Sequence, residues 1–394
     1  RVLDLTQNVA GPFCTQVLAD LGAQIIKVER PRGGDDTRAW MPPEIGAESA
    51  TFLALNRGKQ SVAIDMSTPQ GKDVIARLAE TADVVIHSLR PASAERMGLG
   101  HDLLSAKNPR LVYCAISAFG ETGPLRDLPG YDPLLQAFSG IMSVTGNEGD
   151  EPVRVSVSLV DMGTGMWATI GILAALLKRA TSGVGTRVEA SLLDTSLSWM
   201  TTFIAGFLAT GRTQQKMGSA MAMAAPYQLF VTLDGRIFIG AGNDRLFARV
   251  CQALGRPELA TDPRFATNTL RVSARAQLQA EIEALTASRS TDDLVSALRE
   301  VGAPCSELND LPAVLAHEQV EASEMIVALP TGGAPHHRAV GTPLRLDGER
   351  LAAKTAPPSL GNATWDVLAG IGIGASELTE LSRTGIINEQ KRPQ

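Results

Sequence analysis

Hydrophobic and polar positions in the first 200 residues switch repeatedly between two patterns. Short strand-like runs recur at residues 2–5, 24–28, 61–64, 83–86, 111–116 and 187–191. Runs this short, dominated by apolar and β-branched residues, suit strands buried on both faces. The segments between them carry helical spacing. Cys14, Val17, Leu18 and Leu21 fall at i, i+3, i+4 and i+7, one apolar face. Gly11-Pro12 opens that helix, with Pro where its missing N–H costs nothing, and Gly22 closes it. Thr68-Pro69 caps a second helix over about 70–80. Longer apolar helices are predicted over 162–178 and 192–208. Strands and helices alternating in this way predict an α/β fold, a Rossmann-like doubly wound parallel sheet covered on both faces.

The texture changes at Pro226. Two short strand patterns, 229–232 and 236–240, flank Asp234-Gly235, a hairpin signal. Helical segments follow near 245–254, 274–286 and 291–301. The expected organisation is a large domain over 1–200, a smaller α+β domain over 225–320, and linkers at 201–224 and 321–334. Residues 330–362 are rich in Pro and Gly, and helical patterns return over 363–383.

Composition narrows the possible functions. The net charge is −6, so there is no basic surplus to attract nucleic acid or acidic lipid. Aromatic residues are 4% of the chain, too few for a base-stacking surface. The longest apolar stretch, 162–177, falls short of the roughly 20 residues of a membrane span and reads as a core helix. Cys14, Cys114, Cys251 and Cys305 are widely spaced and read as reduced thiols of a cytoplasmic protein. The chain opens on Arg1 immediately before a strand, which implies a natural start further upstream and leaves an organelle-targeting segment open.

Common motifs of such folds are missing. The first strand–helix turn, Thr6-Gln7-Asn8-Val9-Ala10-Gly11-Pro12, has one glycine and no G-x-G-x-x-G, and no P-loop occurs. A doubly wound pattern therefore does not imply NAD or ATP here. No G-x-S-x-G elbow is present. His87, His101, His317, His336 and His337 form no metal-binding spacing, so no metal is expected.

The most informative local feature is Val160-Asp161-Met162-Gly163-Thr164-Gly165, an acid directly before a strongly apolar helix. Asp161 reads first as a helix cap, the commoner role of an acid at this place, and alternatively as a nucleophile. In the second reading the helix N-terminus keeps the carboxylate ionised. The glycines would let a substrate approach closely, and the carboxylate would attack an acyl carbon. Local sequence does not choose between the two.

Several segments, in order along nearly the whole chain, resemble the class III CoA-transferases. They include Val2-Leu3-Asp4-Leu5 with Ala10-Gly11-Pro12, Ile26-Lys27-Val28-Glu29, Asn56-Arg57-Gly58-Lys59, Arg90-Pro91 and Arg96-Met97-Gly98. Gly120-Glu121-Thr122-Gly123-Pro124, Gly130-Tyr131-Asp132 and the Asp161 segment complete the set. Gly34-Asp35-Asp36-Thr37-Arg38-Ala39-Trp40 and Pro226-Tyr227-Gln228 are similar to the members that act on glutarate.

The resemblance implies transfer of CoA from an acyl-CoA, succinyl-CoA by expectation, to a small dicarboxylate such as itaconate or glutarate. Coenzyme A would be a substrate, with no separate cofactor. Asp161 would be the nucleophile, with backbone N–H groups near Gly163 as oxyanion donors. Arg30, Ile64, Met66, Ser88, Arg96, Met97 and Tyr131 match CoA-contacting positions. Arg38 would bind the acceptor's second carboxylate, with Trp40 as an apolar wall and Asp132 beside the substrate. The methionine-rich segment 217–223 would offer an adaptable surface. The family also implies an interlocked homodimer whose large domain is completed by residues 335–394.

Two departures stand out. Racemases of the superfamily carry a proton-transferring histidine where this chain has Tyr131, which disfavours a 2-methylacyl-CoA racemase, the alternative on the same fold. A non-catalytic CoA-binding protein is disfavoured by the retention of Asp161. Met221-Ala222 stand where glutarate-type members have histidine and glycine.

Overall fold

Six strands of the first unit form the parallel part of one sheet: β1 (Val2–Leu5), β2 (Ile25–Glu29), β3 (Lys59–Ile64), β4 (Val84–His87), β5 (Val112–Ser117) and β6 (Arg187–Ser191). The computed structural model describes residues 1–329, 337–351 and 355–388. The spatial order is 3-2-1-4-5-6, with a seventh, antiparallel strand, Ile387–Asn388, on the edge beside β3. β1 and β4 are fully buried, as central strands under helices on both faces must be. Strand order reverses at β1, so β1 and β4 flank a topological switch point. The crevice outside their carboxyl ends is where open α/β sheets bind ligands.

Five helices position the site. They are α1 (Ala10–Asp20), α2 (Pro91–Arg96), α3 (Asp132–Phe138), α4 (Leu159–Ser182) and α5 (Leu192–Trp199). α4 has 24 residues, longer than its sequence pattern suggested, and is long and apolar enough to cross a membrane. One face instead packs against α1 and the sheet, burying Val160, Gly165, Ala168, Ile172 and Ala175. This is the packing of a core helix. The close approach depends on glycine: a Cβ on Gly165 would lie 2.5 Å from the Ala10 carbonyl oxygen. The single helix expected over 192–208 is two helices, α5 and Thr201–Thr210, bent by 65° at Met200.

The chain divides into two compact units. The first comprises residues 1–141, 154–211 and 319–394, the second 142–153 and 212–318. The segment 201–211 thus belongs with the large unit rather than to a linker, and 142–153 joins the small one. The second unit has a three-stranded antiparallel sheet with Arg236–Gly240 at its centre, between Tyr227–Val231 and Cys305–Glu307. Its core gathers Phe230, Ile237, Phe247, Phe265 and Leu294. Here the methionine-rich segment is tied down by Arg275, which donates to the carbonyls of Met221, Ala222 and Ala224. Cys14, Cys114 and Cys251 are buried free thiols and Cys305 is half-buried. His336 and part of the expected linker, residues 330–334, lie outside the described residues.

Candidate active site

Beneath the turn after β1 lies a network of buried charges. Asp4, within β1, accepts from the Thr6 N–H and hydroxyl, from Thr15 and from Lys59. Lys27 donates to the Thr6 carbonyl and to Asp35 at 2.8 Å. Asp35 in turn accepts the Asn8 N–H at 3.2 Å, where Asn8 sits at φ 68°. Burial works against the charge on Asp4, but Lys27 and Lys59 hold its pKa below the ordinary value. Burial pushes Lys59 down to about 8. Such charges persist in a core only when paired and hydrogen-bonded. Here they fix the backbone of Thr6-Gln7-Asn8, leaving the Gln7 and Asn8 side chains at the switch point.

Those two residues line a cavity of about 350 Å³. The same cavity takes Ser88, Leu89 and Arg90 from the turn after β4, Ala118 and Tyr131 from beyond β5, Trp40, Arg126, and Asp161 on the first turn of α4. A smaller cavity of about 190 Å³ shares Gln7, Ser88 and Leu89 with it and adds Arg30, Asp35 and Met66.

Asp161 is not the cap. Ser158 precedes the helix, and Asp161 is its third residue. No described residue donates a hydrogen bond to its side chain. Its pKa is pushed up to about 7, first by burial and then by the charge of Asp132. The expectation of a carboxylate firmly ionised by the helix terminus is therefore corrected: desolvation and a second carboxylate outweigh the helix dipole.

Asp132, the first residue of α3, is 2% exposed and lines neither of these two cavities. One of its oxygens accepts the Val160 N–H at 2.7 Å and the Asp161 N–H at 3.1 Å. The other accepts Gln136 Nε2 at 2.5 Å. Asp132 is thus a clamp on the first turn of α4, rather than the substrate contact expected from sequence.

The remaining first-turn donors are also spent, Leu159 N–H on Val157 O and Met162 N–H on Ser158 O. The expected oxyanion donors near Gly163 are therefore absent from the exposed helix end. The Gly163 space belongs to packing too, since a Cβ there would meet the Trp199 ring at 2.7 Å. Besides the Trp40 indole, Gln7, Asn8 and Tyr131 are the uncharged polar side chains in the lining without a hydrogen-bond partner among the described residues.

The other sequence-derived residues separate into groups. Trp40, Ser88, Tyr131 and Asp161 line the larger cavity, and Arg30, Met66 and Ser88 the smaller. The Arg30 guanidinium is half-exposed, bonded to Asp36 and to the Gly34 carbonyl. Arg38 is consumed inside the protein. It pairs with both oxygens of Glu29, at 2.7 and 2.8 Å, and also meets Glu48 and the Pro358 carbonyl. That removes it as an anchor for substrate. Ile64 is wholly enclosed in the core of β3, so its side chain is closed to a ligand. Met97 packs on that core, and Arg96 is exposed with one bond to Ser93; neither lines either cavity. Missed from sequence were Gln7, Asn8, Arg90 and Arg126. Beyond the Arg90-Pro91 pair, their signal was position after β1, β4 and β5, and that gains meaning once strand order is known.

Known proteins bear on this arrangement. The profile described as CoA-transferase family III matches residues 1–364. A succinyl-CoA:glutarate CoA-transferase of Mus musculus is 37% identical over 368 residues, covering 93% of this chain and 84% of the relative. A succinate–glutarate CoA-transferase of Agrobacterium fabrum is 36% identical, covering 98% of this chain and 96% of the relative. The crystal structure of a CAIB/BAIF family protein from Brucella suis superimposes with a TM-score of 0.84 at 37% identity, covering 94% of this chain and 97% of that one.

Proposed function

The chain belongs to CoA-transferase family III and is a CoA-transferase, and from that premise we propose that it moves CoA from succinyl-CoA to a small dicarboxylate through Asp161. The observation that carries this reading is the state of Asp161: a carboxylate in a cavity, without hydrogen bonds to its side chain, with a pKa near 7. A poorly solvated carboxylate is a stronger nucleophile than one in water.

Its oxygen attacks the thioester carbonyl of the donor. The C–S bond breaks, CoA leaves as thiolate, and a mixed anhydride links Asp161 to the donor acid. The thiolate then attacks the aspartyl carbonyl, freeing the donor acid and leaving an aspartyl-CoA thioester. The acceptor carboxylate attacks that thioester and expels the thiolate, which attacks the acceptor's acyl carbon and regenerates Asp161. Gln7, Asn8 and Tyr131 are the side chains suited to donate to the developing oxyanions. Arg30 and Met66 suit the phosphates and nucleotide end of CoA. The relatives that transfer CoA to glutarate support glutarate as acceptor, with itaconate as a branched, unsaturated alternative. Among the described residues no histidine lines the Asp161 cavity, and His87 is tied to Tyr113 and Leu89, which disfavours the racemase alternative.

A homodimer completes the reading. Met166, Trp167, Ile170, Leu173 and Leu177 stand exposed along the outer face of α4, and Thr201–Thr210 buries none of its residues. Apolar surface on that scale marks an association face. Sedimentation should find no folded monomer at nanomolar concentration.

The deciding experiment is trapping. Protein incubated with succinyl-CoA and no acceptor, then treated with hydroxylamine, should yield a hydroxamate on the peptide containing Asp161. Asp161→Asn should fold, bind CoA and give neither adduct nor turnover. An adduct on another residue, or an active Asn variant, overturns the assignment.

A further inference from the structure

Two exposed cations, Arg90 and Arg126, are among the residues lining the Asp161 cavity. Arg126 shares its Nε–H with Asp127 at 3.3 Å. The Arg90 guanidinium has no hydrogen bond or ion pair among the described residues. Arg90 is exposed, and the buried arginines are by contrast committed inside the protein. Arg38 is held by Glu29, Arg57 by Asp20, and Arg271 by Asp244 and two carbonyls.

The backbone around Arg90 is fixed from both sides. Upstream, His87 Nδ1 accepts the Leu89 N–H at 3.1 Å. That acceptor role puts the proton of the neutral ring on Nε2, which meets the Tyr113 hydroxyl at 2.7 Å, and the hydroxyl donates to the Leu99 carbonyl. Downstream, the Arg90 carbonyl accepts the Ser93 and Ala94 N–H groups at 2.8 and 3.0 Å, with Pro91 opening α2. The turn is anchored at its main chain, and the exposed side chain, without a partner among the described residues, belongs to the cavity lining.

A dicarboxylate brings two anions to this site. One reacts at Asp161. The other loses water as the cavity fills, a large cost unless a cation with well-placed donors receives it. A guanidinium offers two parallel N–H groups to one carboxylate. Arg30 lies in the smaller cavity, apart from the reacting carboxylate. We propose that Arg90 anchors the distal carboxylate of the acid bound at Asp161, with Arg126 as a second cation, and so selects short dicarboxylates over monocarboxylates. This inference rests on the transferase reading above and replaces Arg38 as the anchor.

The test uses glutarate and pentanoate, equal in length, with and without the second carboxylate. Calorimetry on the CoA-loaded protein measures each acid's Kd for wild type, Arg90→Met and Arg90→Lys. Hydroxylamine trapping at Asp161 runs in parallel. Arg90→Met should weaken glutarate roughly 10- to 100-fold, the scale of a hydrogen bond to a charged group. Pentanoate and CoA should keep their affinities, and Arg90→Lys should recover part of the loss. Equal losses for glutarate and pentanoate, or weaker binding of CoA itself, would overturn the proposal and make Arg90 a nucleotide or structural contact. Arg90-dependent glutarate binding without a trappable adduct supports the anchor and sinks the transferase chemistry. A trapped adduct with no Arg90 effect does the reverse.

Discussion

Holding Asp161 ready has a cost in stability that should be measurable as a function of pH. An ordinary aspartate titrates at 3.8, and Asp161 titrates at about 7. The folded protein therefore holds this proton more tightly than the unfolded chain does. Linkage then gives the sign: between about pH 4 and 7 the native state binds more protons, so stability falls as pH rises and stays lower above that window. At about 1.36 kcal/mol per pKa unit, the full difference is roughly 4 kcal/mol. Asp161→Asn removes the charge and keeps the shape. Relative to wild type it should gain little at about pH 4 and up to roughly 4 kcal/mol at about pH 8. Thermal melting of both proteins across that range, with no CoA present, reads the difference. At about 2 °C per kcal/mol for a large chain, the Asn variant should melt several degrees higher at the alkaline end. A gap between the two proteins that stays constant with pH would refute the argument. It would mean that Asp161 is solvated when free and owes nothing to burial or to Asp132.

Asp132→Asn should move the acidic limb of adduct formation, expected near pH 7 in wild type, to lower pH, because the second cause of the Asp161 shift is gone. It should also cost roughly 1–3 kcal/mol in unfolding, since its new NH2 would face the Gln136 Nε2 donor. Arg30→Ala should weaken CoA-ester binding by roughly 1–3 kcal/mol whatever the acyl group, in titrations with free CoA and several thioesters. Arg38→Ala should act on stability, by roughly 3–5 kcal/mol in denaturant titration, because it strands Glu29 in the core. Gly165→Ala should lower the melting temperature, at a cost of roughly 1–3 kcal/mol, by forcing α1 off α4 at the Ala10 carbonyl.

Periodicity made most of the elements legible, because buried parallel strands and amphipathic helices differ in length and spacing. It could not supply strand order, and strand order decides which loops meet. Arg90 was visible in an Arg-Pro pair, yet only the adjacency of β1 and β4 brings it beside Gln7 and Asn8. Asp161 stood out through its local setting, an acid at the head of an apolar helix. The reading of its neighbours failed because long-range contacts own them. Gly163 accommodates Trp199, Gly165 accommodates Ala10, and the Asp161 N–H serves Asp132, 29 residues earlier. Arg38 was misassigned for the same reason. A cation in a polar segment looks available until Glu29, nine positions upstream, is seen turned towards it.

The first turn of α4 has given every N–H to the protein itself. Stabilising the reacting oxygens and recognising the acid then falls to other groups of the cavity, among them side chains on the loops after β1, β4 and β5. Backbone donors cannot be exchanged by mutation, whereas side chains can. The fold thereby separates two inheritances. Asp161, the proposed nucleophile, and its clamp Asp132 span α3 and α4, and Gln7, Asn8, Arg90, Arg126 and Tyr131 form a replaceable lining. Changes of acid preference could accumulate in that lining one residue at a time, each leaving the Asp161 and Asp132 pair untouched.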